Sequence, residues 1–160
     1  MAEKDKSMKD YKRLTFGEEV ANAVSHGVMA LLLLFFLPYA SVKAFHDGGW
    51  VLVAGDAIFL ISLFFMFMGS TLYHSMENDT KSKYIFRILD HSFIFVAIAG
   101  SYTPIALTVL DGWLRYAVVI IQWAMVIIGI LQKTVGKKSM PKLSVAIYMV
   151  MGGVAVLLIP

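Results

Sequence analysis

Seven polar side chains sit inside or at the edge of apolar stretches, and their types are those that take up, release and relay protons. Glu19, Asn22 and His26 are spaced i, i+3, i+7, which places them on one stripe of a helix. Ser70 and His74 are one turn apart at i, i+4, and Asp90 and His91 are adjacent. An ionisable group inside a bilayer costs roughly 2.5–3.5 kcal/mol on insertion scales, so it usually faces a bundle interior and has a task there. Each residue also has a plainer use. Glu18 and Glu19 favour a helix amino terminus, Asn22 and Ser25 can hydrogen-bond between helices, and His26 can be a satisfied packing residue. His74 can be interfacial. Asp56, acidic and within an apolar stretch, has no evident partner.

The elements that must position these groups are membrane helices. Of the 160 residues 59% are apolar, and the mean hydropathy is +0.74. A soluble domain of this size has too little interior to hide so much apolar side chain. The surplus faces lipid. There is no cysteine, hence no disulfide framework and no thiolate zinc site. The net charge is +3, but the basic residues lie in short clusters between apolar runs, which suits loops that orient a membrane protein and not a nucleic-acid footprint. Residues 1–17 read as a polar tail. Apolar spans are expected at about 20–44, 50–75, 88–110, 113–131 and 143–160, each near the ~20 residues that cross ~30 Å of hydrocarbon. His46–Gly49 reads as a turn and Met76–Arg87 as a polar loop. Pro38 and Pro104 are expected to bend their helices, and Trp50 is placed as an interfacial anchor.

The tail, second loop and fourth loop hold five, three and four Lys or Arg, while the first and third loops hold only Lys43 and Arg115. Twelve of fourteen basic residues therefore fall on one side, which the positive-inside rule makes the cytoplasm. The sequence thus predicts an all-α, polytopic transmembrane bundle in the cell membrane with a cytoplasmic amino terminus. The start of the first helix, the end of the second and the start of the third then share the cytoplasmic boundary. His26, His74 and Asp90 would each lie within ~10 Å of it.

Glu18-Glu-Val-Ala-Asn-Ala-Val-Ser-His26, Ser70-Thr-Leu-Tyr-His-Ser75, Leu89-Asp-His91 and Ala99-Gly-Ser-Tyr-Thr-Pro104 together resemble the bacterial hemolysin III family. That family is the prokaryotic branch related to the adiponectin and progestin receptors. The resemblance implies a seven-helix bundle with an intramembrane zinc site near the cytoplasmic side. It implies His74 as a zinc ligand with Ser70 beside it, and Asp90 holding a metal-bound water. Glu19, Asn22, His26 and His91 would be supporting polar residues. Two further ligands are expected from a His-x-x-x-His on a seventh helix. This sequence, with about five spans, has no such motif. It is expected to be a fragment or truncated form, metal-poor and inactive by itself, since a catalytic zinc site needs three protein ligands and an open position.

The intact protein is expected to be a zinc-dependent hydrolase of lipid-like amides or to act in membrane lipid homeostasis, with membrane lipids as partners. The alternatives are a membrane-damaging, pore-forming protein and a non-catalytic sensor of lipid state.

Overall fold

The computed structural model describes residues 13–135 and 141–158, and every element among them is an α-helix. The first helical run, Phe16–Ser75, starts at a capping box. The Thr15 hydroxyl accepts from the Glu18 amide at 3.4 Å, and the Glu18 carboxylate accepts from the Thr15 amide at 2.7 Å.

Gly49 divides this run. Its φ of 66° and ψ of −160° lie in a region that only glycine occupies readily. The two halves are α1 (16–48) and α2 (50–75). They fold back on each other: Glu19 reaches His74, and Gly27 sits opposite Thr71. The turn expected over His46–Gly49 is thus narrowed to one residue, because helical hydrogen bonding continues to Gly48.

α2 ends at Ser75, and the link to α3 (Lys81–Val109) is short. Asp79 takes a left-handed φ of 63°, and the Thr80 hydroxyl caps the new helix by accepting from the Lys83 amide at 3.1 Å. The polar loop expected over Met76–Arg87 is therefore wrong in its second half. Lys81, Lys83 and Arg87 belong to a helix that begins seven residues ahead of Ile88.

α4 (Leu114–Val135) follows a turn at Gly112, and α5 is Pro141–Leu158. Pro38 and Pro104 both lie inside helices. Three runs, Phe16–Ser75, Lys81–Val109 and Leu114–Thr134, are long and apolar enough to cross a membrane, and the first doubles back on itself at Gly49. α5 carries a shorter apolar stretch, Lys142–Val154.

Apolar side chains gain little by leaving lipid for one another, so close packing and hydrogen bonds must hold such helices together. A methyl group on Gly100 would lie 2.6 Å from Ser62 Cβ, and one on Gly55 would lie 2.8 Å from Pro104 Cα, so α2 and α3 touch almost backbone to backbone. Phe95, Ala99, Val126 and Met151 form the apolar centre of α3, α4 and α5. Three polar bonds pin that centre. Tyr102 donates to the Gly152 carbonyl at 2.7 Å, Gln122 to the Met151 carbonyl at 3.0 Å, and Trp123 to the Thr103 hydroxyl at 3.2 Å. Trp50 and Trp113, both exposed, follow the Gly49 and Gly112 turns at one end of the bundle, where indole anchors belong. The candidate site is at the other end.

Candidate functional site

At that end the α1–α2 hairpin closes over the start of α3. Glu19, in the first turn of α1, is only 9% exposed. Its Oε2 accepts from His74 Nδ1 at 2.6 Å, and its Oε1 accepts from Lys83 Nζ at 2.8 Å. Lys83 is 2% exposed, and its ammonium also lies 4.6 Å from the centre of the Tyr73 ring. Three helices thus converge on one carboxylate. An ionised carboxylate can only accept, so the proton in the His74 bond sits on Nδ1.

His26 is the neighbour of this cluster, its ring centre 6.3 Å from that of His74 and 5.7 Å from Phe67. Its Nδ1 donates to the Asn22 carbonyl at 2.8 Å. Asn22 therefore contributes its main chain to the stripe, and the same oxygen accepts from Ser25 at 3.1 Å. Ser70 is buried one turn before His74 on α2.

Asp90 lies where α2 crosses α3, with its Cα 3.8 Å from where a methyl on Gly69 would sit. Seven residues separate it from Lys83, so it is about 10 Å further along α3. Among the described residues Asp90 makes no hydrogen bond to Glu19, His74 or Lys83. His91 is turned to its own helix. Its Nδ1 donates to the Arg87 carbonyl at 2.8 Å, and its carbonyl accepts from Tyr148 at 2.7 Å. Asp56 is half-buried far from the cluster in sequence and has no ion pair among the described residues.

Glu19 and His74 line a cleft of about 480 Å³ together with Phe16, Val20, Val24 and Glu77. Beside it Arg13 clasps Asp79 with two hydrogen bonds of 2.9 and 2.7 Å. Phe16, Val20, Ala23 and Val24 make the α1 side of the cleft apolar, while Glu19 and His74 are among its polar lining residues. Among the described residues no three His, Asp or Glu side chains gather as a set that could hold a metal ion.

Lys83 is the member of the cluster that sequence reasoning missed. It reads as one more loop cation, yet Thr80 is a good amino-terminal cap. A helix begun there sets Lys83 two turns from Asp90 on one face.

The haemolysin-III related family profile matches residues 14–160. The chain belongs to the hemolysin III family. It is 38% identical over 138 residues to a hemolysin-3 homolog of Bacillus subtilis, covering 86% of this chain and 64% of that protein. It is 36% identical over 135 residues to hemolysin-3 of Bacillus cereus, covering 84% of this chain and 61% of the relative. The chain therefore spans somewhat under two thirds of the length of these hemolysin III relatives. No solved structure matches it. Family membership and the apolar helices make it an integral membrane protein of the hemolysin III type.

Proposed function

We propose that this chain carries the proton-handling half of an intramembrane hydrolase of lipid-like amides, zinc-dependent in the intact protein, with the site end at the cytoplasmic face of the cell membrane. The observation that carries this proposal is the buried 2.6 Å bond between Glu19 and His74. With the proton fixed on Nδ1, a neutral His74 keeps its lone pair on Nε2, and a carboxylate behind a histidine is the usual support for one that binds a metal or accepts a proton. Lys83, itself almost fully buried, offsets the charge of Glu19. Asp90 would orient or deprotonate a water near the α2–α3 crossing, and Ser70 would hydrogen-bond close by. His74 is assigned as one donor, and the missing donors are assigned to the further length of the relatives. The twelve-to-two split of basic residues supports the orientation.

The test is made on a full-length protein carrying this stretch, reconstituted in lipid, with zinc content and hydrolysis of an N-acyl sphingoid lipid both measured. His74→Ala should lower both, and Asp90→Asn should lower turnover by roughly 10²–10⁴-fold with zinc retained. Full zinc loading of His74→Ala would remove the ligand role. A second reading, membrane damage, is favoured by the hemolysin-3 names of both relatives. Dye release from liposomes that persists in chelator, without lipid hydrolysis, would select it.

A further inference from the structure

The cleft at Glu19 and His74 is lined by two segments that are far apart in sequence. Leu14 and Phe16 come from the start of α1, and Met76, Glu77 and Asn78 from the link between α2 and α3. Arg13 and Asp79 stand next to these segments, and their side chains join the two. One guanidinium nitrogen of Arg13 donates to both Asp79 oxygens, at 2.9 and 2.7 Å. Asp79 has a φ of 63°, a left-handed value that, glycine apart, aspartate and asparagine tolerate best. Residues 13–15 are not helical, yet they are fastened at both ends. Arg13 is held by Asp79, while Thr15 donates to the Glu18 carboxylate through its amide at 2.7 Å and its hydroxyl at 2.9 Å. Between the two fastenings Leu14 is half-buried, whereas Arg13 and Thr15 are exposed.

The two fastenings differ in kind. The bonds of Thr15 to Glu18 are local and belong to the capping box of α1. The Arg13–Asp79 pair joins residues 66 apart, and its side chains are 63% and 45% exposed. Water and salt reach such a pair, so it holds its partners only weakly and opens easily. A weak tie that joins both sides of a cleft has the properties of a latch. We propose that residues 13–15 form a strap over the cleft, latched by the Arg13–Asp79 pair, and that its release frees Leu14 and admits solutes to Glu19 and His74. The purpose of such gating rests on the hydrolase reading of His74, whereas the latch can be measured without any turnover.

The chain has no cysteine, so a single introduced thiol reports on the cleft. Ala23 lines it and is half-buried. The test measures how fast the uncharged reagent N-ethylmaleimide labels Ala23→Cys in the whole chain, purified in mild detergent at fixed pH. Adding Arg13→Gln or Asp79→Asn should raise the rate about two- to fivefold, the worth of an exposed ion pair. Asparagine keeps the left-handed turn, so the second change removes only the charge. The two together should do no more than either alone, because each already opens the same latch. Going from about 0.01 M to about 1 M salt should speed labelling with the pair intact and leave the Arg13→Gln background unmoved. Ser82→Cys, exposed at the start of α3, should label at one rate in every background. Unchanged labelling of Ala23→Cys in both charge variants, or no response to salt, would overturn the latch. Effects that multiply in the double variant, or an equal rise at Ser82→Cys, would overturn it in favour of general loosening. Ser75→Cys, which also lines the cleft and is nearly isosteric, decides the matter if Ala23→Cys does not fold.

Discussion

Replacing Lys83 with methionine removes the one full positive charge bonded to a buried carboxylate while nearly keeping the length of the side chain. Lys83 is 2% exposed and Glu19 9%, and 2.8 Å separates their charged atoms, so solvent cannot take over the role of the ammonium. Breaking one side of a buried pair costs about 3–5 kcal/mol, chiefly because the remaining charge is left uncompensated. The His74 N–H at 2.6 Å stays in place, which puts the expected cost near the low end, about 3 kcal/mol. For a protein of this length that is a fall of about 6–12 °C in melting temperature. The assay is thermal unfolding of the purified protein in one detergent and lipid composition, for Lys83→Met, Glu19→Gln and the double variant. The double variant should regain at least half of the loss, since it removes the orphaned charge as well as its partner. A Lys83→Met protein within about 0.5 kcal/mol of wild type, or single effects that simply add, would refute the buried-pair reasoning.

Gly100→Ala should destabilise the α2–α3 contact by about 1–3 kcal/mol, and adding Ser62→Gly should recover much of it, since the new methyl would fall 2.6 Å from Ser62 Cβ; unfolding in detergent reads both. Gly49→Ala forces a Cβ into φ 66°, ψ −160° and should cost about 1–3 kcal/mol, seen as a lower melting temperature and faster exchange of amides on both sides of the hairpin tip. Thr15→Ala removes the capping hydroxyl and should cost about 1 kcal/mol, with faster hydrogen exchange confined to the first turns of α1.

The helical class and the membrane setting were legible because both rest on one-dimensional signals, the apolar runs and the alternation of Lys and Arg between them. That the start of the first helix, the end of the second and the start of the third share one end followed from counting reversals of the chain, and it was His26, His74 and Asp90 that this counting put at one depth. Lys83 was not legible in that way. Its burial arises only when α1 closes over α3, and a lysine in a polar stretch gives no hint of it. Asn22 misled in another manner, since its type suggests an amide side chain reaching a neighbour helix, whereas its carbonyl is what His26 and Ser25 use. Gly49 shows the opposite case. A glycine pair after an aspartate marks the bend, but only the torsion angles show that one residue makes it.

Tyr102 and Gln122 both end on peptide oxygens of α5, at Gly152 and Met151. An oxygen of the main chain is present whatever side chain the residue bears. At those two points α5 is seated by an address written in its backbone, whereas Tyr148 and the buried Met151 hold it through their side chains. Homologous chains should therefore vary more at position 152, where an added Cβ meets nothing within 4 Å, than at the tyrosine that reaches for its carbonyl.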